Sequence, residues 1–179
     1  MISLFLMALS IVSLNVNGLR DSTKRGAFMQ WLRCLPVCVD VICLQESHCV
    51  SDVEGHSWFS SSGFNFVVSP GSCRSGGCVL LFHPCLLLVR SSCDVPGRTL
   101  LCEFLFHGSS FRVLCLYAPN RNPTRDLFFQ QVADSVDPSV PTILCGDFNT
   151  VLDRSLDHFG SVPDDFSRES TAALIRVFD

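Results

Sequence analysis

The residues with the most chemistry to offer stand at the ends of three short apolar runs. Ile143-Leu-Cys-Gly-Asp-Phe-Asn-Thr150 closes one run with Asp147 and Asn149, Ile11-Val-Ser-Leu-Asn-Val-Asn-Gly18 closes a second with Asn15 and Asn17, and Val39-Asp-Val-Ile-Cys-Leu-Gln-Glu46 closes the third with Gln45 and Glu46. Alternate residues of an extended strand share a face, so each pair separated by one residue can point at one small target. Glu46 with the amide oxygens of Asn15 or Asn17 forms a hard-oxygen set suited to Mg²⁺, which takes few protein ligands and leaves positions for water and substrate phosphate. Asp147 is suited to orient or deprotonate an attacking water. Asn149, the phenol of Tyr117 and nearby Asn120 are suited to donate hydrogen bonds to a phosphate oxygen whose charge grows in the transition state. That chemistry is metal-assisted cleavage of a phosphodiester.

These groups need elements to position them. After Gly18, the segment Asp21 to Leu35 carries Asp21 or Ser22 as a cap and places Phe28, Trp31, Leu32 and Leu35 at helical spacing, with Pro36 to stop it. A strand through Glu46 follows, which makes a β-α-β opening whose two strands are expected side by side. Residues 47 to 63 read as a surface connection. From Phe64 the pattern changes to short strands, at Phe64 to Ser69, Gly77 to Phe82, Leu86 to Val89, Thr99 to Phe106 and Phe111 to Tyr117, separated by turn residues. They read as an antiparallel meander. Pro123 to Val136 then predicts a second helix, with Leu127, Phe128, Val132 and Val136 at helical intervals, before a strand from Thr142 to Cys145. The expected fold is an α/β sandwich of two facing sheets, mixed or antiparallel, with helices outside.

Composition bounds the function. The chain has 179 residues, a mass of 19.8 kDa and 47% apolar residues, enough for a core of its own, and its length points to one domain over residues 1–179. A formal net charge of −4 gives no general field to hold a polyanion, so any nucleic-acid contact must be local or metal-assisted. A simple DNA-binding module is disfavoured on that ground. Met1 to Leu14 is apolar but lacks a basic start and a cleavage site, and it reads as a start followed by a buried strand, not a signal peptide. No run reaches the length of a membrane span. The eleven cysteines show no Cys-x-x-Cys spacing and read as free thiols serving as small hydrophobes in a reducing compartment.

Each sharp reading has a plainer one beside it. Asn17-Gly18 is also a hairpin signal, but a helical pattern follows it where a second strand would be needed. Glu46 alone would be an ordinary solvated strand end, and its place beside two similar tips favours a ligand role. Asp147 with Asn149 could simply form a turn, and Tyr117 a rim aromatic. His48 invites a phosphate contact, yet imidazole suits Mg²⁺ poorly and a loop histidine is ordinarily solvated. Lys24 and Arg25 either touch a backbone phosphate or cover the start of a helix. Trp31, Phe28 and Leu32 read as core.

Four motifs, Leu14-Asn-Val-Asn-Gly-Leu-Arg20, Leu44-Gln-Glu-Ser-His48, Leu116-Tyr-Ala-Pro-Asn120 and Gly146-Asp-Phe-Asn-Thr150, occur in the order and near the spacing of the endonuclease/exonuclease/phosphatase superfamily. The chain most resembles its apurinic-endonuclease-like branch, which opens the second reading frame of LINE-type (non-LTR) retrotransposons. Asn17, where repair-type enzymes carry an aspartate, and Leu152-Asp-Arg154 fit that branch. The resemblance implies a DNase I-like four-layer α/β sandwich and Mg²⁺, with Mn²⁺ as a substitute. It implies that Glu46 and Asn15 hold the metal, that Asp147, Asn149 and Tyr117 are catalytic, and that Asn17, Asn120 and His48 face substrate. It further implies a DNA substrate nicked to leave a 3′-hydroxyl, a reverse transcriptase domain in cis and a nuclear site of action. The family's closing strand and its terminal Ser-Asp-His are not met before Asp179, so the fold is expected to be incomplete at its C-terminus and the activity weak or absent. A phosphatase of the same superfamily and a non-catalytic remnant or binding module are the other readings.

Overall fold

The computed structural model describes residues 9–35, 38–121 and 123–150, together with residue 172. Its element order is β1 (Ile11–Asn15), α1 (Ser22–Arg33), β2 (Val41–Gln45), α2 (Asp52–Phe59), β3 (Asn65–Ser69), β4 (Cys78–Phe82), β5 (Leu87–Ser92), β6 (Thr99–Phe106), β7 (Ser109–Tyr117), α3 (Thr124–Ser135) and β8 (Thr142–Asp147). Two four-stranded sheets form, in the orders β1-β2-β4-β3 and β5-β6-β7-β8. Both are mixed. β1 runs parallel to β2 and β7 parallel to β8, while the remaining pairs are antiparallel.

Alternation along the strands explains the layers. In β2, Val41 and Cys43 face the second sheet, whereas Ile42 and Leu44 face the helices, so the strand is buried on both sides. β4 repeats this with Cys78, Leu80 and Phe82 inward and Val79 and Leu81 outward. Phe28 and Leu32 of α1, with Trp58 and Phe59 of α2, cover the outer face of the first sheet. Phe128, Phe129 and Val132 of α3 cover Leu114 and Leu116 on the outer face of the second. The result is the expected four-layer sandwich, helices outside two facing sheets.

Local chemistry sets the helix starts. The Asp21 side chain accepts the Lys24 amide at 2.8 Å, capping α1, and Ser51 accepts the Glu54 amide at 3.2 Å, capping α2. Several expectations are corrected here. Residues 47 to 63 are no plain connection, because Asp52–Phe59 is a helix anchored by buried Trp58 and Phe59. The run of strands from Phe64 is no single meander, since β3 and β4 join the first sheet and β5 to β7 the second. β1 lies at an edge among the described strands, with Ser13 to Asn15 exposed. Trp31 is 38% exposed and Leu127 57%; Phe129 takes the core position. Cysteines act as buried small hydrophobes at Cys43, Cys49, Cys78, Cys102 and Cys115, but Cys34, Cys38, Cys73, Cys85 and Cys93 are exposed. The reading of the C-terminal region lies outside the described residues.

Gly146 leaves no space for a side chain in the second sheet. It pairs with Leu116 across β7 and β8, and a Cβ there would sit 1.9 Å from the Leu116 carbonyl oxygen, at φ +154°. No side-chain rearrangement relieves a clash with backbone. Gly146→Ala is therefore expected to destabilise the fold by at least about 3 kcal/mol, read as a lowered urea midpoint, and an unchanged midpoint would show that β8 does not pair with β7 in this register.

Candidate active site

The ends of β1, β2 and β8 meet at one corner of the sandwich. The Asn15 side-chain amide Nδ2 donates to Glu46 Oε1 at 3.0 Å and to Asp147 Oδ2 at 2.8 Å. Carboxylates from the two sheets thus converge on one nitrogen. Asn15 Oδ1 accepts the Asn17 amide at 2.9 Å, which curls the chain after β1. The parallel ladder continues beyond the strands, with Val16, Gly18 and Leu19 amides donating to the Gln45, Glu46 and Ser47 carbonyls. Both loops are therefore tied together.

The backbone here is unusual. Five described non-glycine residues have positive φ, and four of them, Asn17 (45°), Glu46 (53°), His48 (58°) and Asn149 (47°), are site residues. Asparagine tolerates this conformation, but a glutamate gains nothing locally from it. Such residues persist only where surrounding contacts over-determine them, and they gather at functional sites. Gly18, at φ +80°, lies against the His48 ring, and a Cβ there would come within 2.7 Å of Nδ1.

Electrostatics fix the protonation states. Burial alone would raise the Glu46 carboxyl, but hydrogen bonds from Asn15 and Tyr117 and the neighbouring His48 outweigh it and hold the group below its ordinary value. The Tyr117 phenol is pushed up to about 12 by burial, by its hydrogen bond to Glu46 and by that carboxylate's charge, so it stays a donor at neutral pH. His48 Nε2 lies 3.7 Å from Glu46 Oε2, is buried and has no hydrogen-bond partner among the described residues. Asp147 accepts at both oxygens, its Oδ1 taking the Asn149 amide at 3.0 Å. Asn149 spends its own Nδ2 on the Ala118 carbonyl at 2.8 Å and Asn120 Oδ1 at 3.0 Å, so in this arrangement it braces a loop. A groove of about 550 Å³ opens beside the corner, lined by Asn15, Asp147, Asn149 and their strand neighbours; Glu46, Tyr117 and His48 are not in its wall.

The structure therefore brings Asn15, Glu46, Tyr117 and Asp147 into one hydrogen-bonded group, with Asn17, Asn149 and Asn120 at its edge and His48 beside Glu46. Among the described residues no three His, Cys, Asp or Glu side chains gather as a metal cage. Two converging carboxylates are nevertheless what Mg²⁺ commonly takes. The amide nitrogen of Asn15 occupies the spot where two negative groups would favour a cation, and rotating that amide would turn its oxygen toward the same spot. The donor set fits a small hard cation.

Three supporting residues escaped the sequence reading. Arg125 is 1% exposed and donates to the carbonyls of Asn120 and Asn149, tying α3 to both loops. Arg98 donates to the Tyr117 carbonyl at 3.1 Å and lies 5.0 Å over its ring. Gln45, though noted as a strand tip, is buried between the sheets and donates to Ser13 Oγ at 3.2 Å and Cys115 Sγ at 3.3 Å. None carries a local signal of burial. Of the basic pair weighed earlier, Arg25 binds the Leu19 and Arg20 carbonyls and stacks on Trp58, while Lys24 Nζ donates to the Asn17 carbonyl at 2.7 Å, next to the site.

Known structures share this fold. An AP endonuclease from Archaeoglobus fulgidus superposes with a TM-score of 0.71 at 19% identity, covering 96% of this chain and 70% of that one. A D. rerio TDP2 complexed with single strand DNA product superposes with a TM-score of 0.61 at 18% identity, covering 83% of this chain and 63% of that one. At such identities the likeness shows the fold, which is DNase I-like. The Xenopus laevis "Transposon TX1 uncharacterized 149 kDa protein" is 30% identical over 155 residues, 82% of this chain, and this chain spans 11% of its length. With residues 12–165, including all four motifs, matching it, the chain belongs to the Endonuclease/Exonuclease/phosphatase family.

Proposed function

We propose that the chain is a Mg²⁺-dependent DNA-nicking domain of a LINE-type retrotransposon, acting as a single domain. The observation that carries this reading is the meeting of Glu46 and Asp147, from different sheets, on the one amide of Asn15. Glu46 and Asn15 would hold the cation. A bound Mg²⁺, or Mn²⁺ in its place, supplies positive charge to the scissile phosphate and the departing 3′ oxygen.

The chain's own groups do the rest. Asp147, oriented by the Asn149 amide, keeps acceptor capacity to hold a water in line with phosphorus and take its proton. Tyr117, protonated at neutral pH, would turn its single O–H from Glu46 toward a phosphate oxygen as charge grows there. Asn17, Asn120 and His48 border the substrate, and Asn149 holds the loop that carries Asn120. The acidic chain meets DNA only locally, in keeping with the net charge of −4. DNA as substrate is supported by the TDP2 neighbour's bound product, and the transposon setting by the TX1 relative. In that setting the nick leaves a 3′-hydroxyl for a reverse transcriptase carried in cis, and the work is nuclear. Among the described residues no helix is long and apolar enough to cross a membrane.

Incubation with supercoiled plasmid and Mg²⁺ under protein excess is expected to yield nicked circles, with Asp147→Ala slowing the reaction by about 10²-fold or more. Nicking that survives this substitution refutes the mechanism, and preferred hydrolysis of a soluble phosphomonoester moves the chain to the phosphatase side of its family. Because a ligand that binds only the folded form raises the melting temperature, millimolar Mg²⁺ should raise it for the wild type and not for Glu46→Gln. Equal melts with and without Mg²⁺ would favour a non-catalytic module. The lowered Glu46 carboxyl contributes stability that is complete above its ordinary value of 4.5 and is lost as pH falls through the lower folded value. In chelated protein, Tyr117→Phe should therefore cost more urea resistance at pH 7 than at about pH 3. A cost independent of pH would mean that the phenol does not stabilise the carboxylate.

A further inference from the structure

Between the sheets lies a group of thiols that the proposed reaction does not use. Cys43 (β2), Cys78 (β4), Cys102 (β6), Cys115 (β7) and Cys145 (β8) come from five strands; the first four are buried and Cys145 is half-buried. Cys43 and Cys145, 102 residues apart in sequence, face each other across the sandwich with their Sγ atoms 3.4 Å apart. Cys115 is engaged with Gln45 Nε2 at 3.3 Å and the Leu44 carbonyl at 3.6 Å, and Cys78 with the Gly97 carbonyl at 3.7 Å. The facing pair joins the strands that carry the two carboxylates, since Glu46 follows Cys43 by three residues and Asp147 follows Cys145 by two.

We propose that Cys43 and Cys145 are a modification site, a thiol pair that a peroxide-class oxidant converts into a disulfide fastening the two sheets beneath the catalytic corner. The sulfurs already touch, and β2 and β8 come within 8 Å of each other, Cα to Cα, so closing the gap to a bond of about 2.05 Å needs only a small strand shift. Cys145, the more accessible thiol, meets the oxidant first: an S–O bond forms as the peroxide O–O bond breaks, giving a sulfenic acid and water. The Cys43 sulfur then attacks that of Cys145. The S–S bond forms, the S–O bond breaks, and the departing hydroxyl leaves as water with the Cys43 proton. Two thiols are oxidised and one peroxide is reduced to two waters. Cys43, the more deeply buried of the two and in contact with the Cys145 sulfur, is the resolving partner. Bond formation draws β8 toward β2 and alters the spacing of Asp147 from Asn15 and Glu46; this consequence for activity rests on the nuclease reading.

The test uses the chain with the exposed Cys34, Cys38, Cys73, Cys85 and Cys93 changed to Ser, which removes competing thiols. After hydrogen peroxide treatment of the folded protein, alkylation in denaturant and digestion without reductant, one cross-linked peptide pair containing Cys43 and Cys145 is expected. Dithiothreitol should reverse it, and it should be absent from a Cys145→Ser variant whose circular dichroism matches the parent. Full alkylation of both cysteines, a cross-link confined to Cys78, Cys102 or Cys115, or a Cys145 sulfinic acid without cross-link overturns the proposal. Plasmid nicking should fall about tenfold or more on oxidation and return with dithiothreitol, while Cys145→Ser keeps its rate through peroxide. A mapped cross-link with unchanged nicking overturns the coupling to activity. The peptide map reads the bond whether or not the reduced chain nicks DNA, so failure of the nuclease reading is seen separately.

Discussion

The corner where this molecule gathers its chemistry depends on how closely two sheets can approach. Stacked sheets commonly lie about 10 Å apart, yet β1 and β2 come within 8 Å of β8, Cα to Cα. The side chains packed between them there are the thiols Cys43, Cys115 and Cys145, with the longer Gln45 bonded to Cys115 among them. Away from the corner the same interior is filled by Phe82, Phe104 and Phe111, with ring centroids 5.1 and 5.6 Å apart. Bulk at one end and thiols at the other let Asp147 of the second sheet reach the amide that Glu46 of the first also touches. Replacing a seam thiol by a large side chain would separate the carboxylates without touching either of them.

A site built this way holds like charges close together and needs compensation for them. Asn15 supplies two hydrogen bonds, Tyr117 a third, and the Asn149 amide a fourth, all aimed at carboxylate oxygens. Those from Asn15 and Tyr117 hold the Glu46 carboxyl below its ordinary value. The left-handed backbone at Asn17, Glu46, His48 and Asn149 is the conformational cost of aiming the tips inward, and it is met by the continued β1–β2 ladder and by Arg125 clamping the Asn120 and Asn149 carbonyls.

Much of this was legible in the chain. Apolar runs ending in Asn15, Glu46 and Asp147 announced three strand tips because strand periodicity is local, and α1 was announced by Asp21 with Phe28 and Leu32 spaced four residues apart. α2 was missed although Ser51-Asp-Val-Glu54 has the form of a helix-capping sequence, since its short polar body lacks the long apolar stripe that marks a helix. The strands from Phe64 to Tyr117 were legible within one residue at β3, β4 and β6, whereas β5 runs on to Ser92 and β7 begins at Ser109, and their division between sheets was not legible. Short antiparallel strands look alike whether the next partner is a sequence neighbour or not.

The sequence by itself determined the family, the presence of most strands and the identity of the polar tips, because all of these are carried by residue order over a few positions. Only the tertiary structure decided that β4 would insert between β2 and β3, that Phe129 and not Leu127 would face the core, that Arg125 and Gln45 would be buried supports and that Arg98 would lie over the Tyr117 ring. Those outcomes turn on which surfaces meet across the sandwich. Contact between Cys43 and Cys145, or between Asn15 and Asp147, joins positions more than a hundred residues apart, and packing alone brings them together.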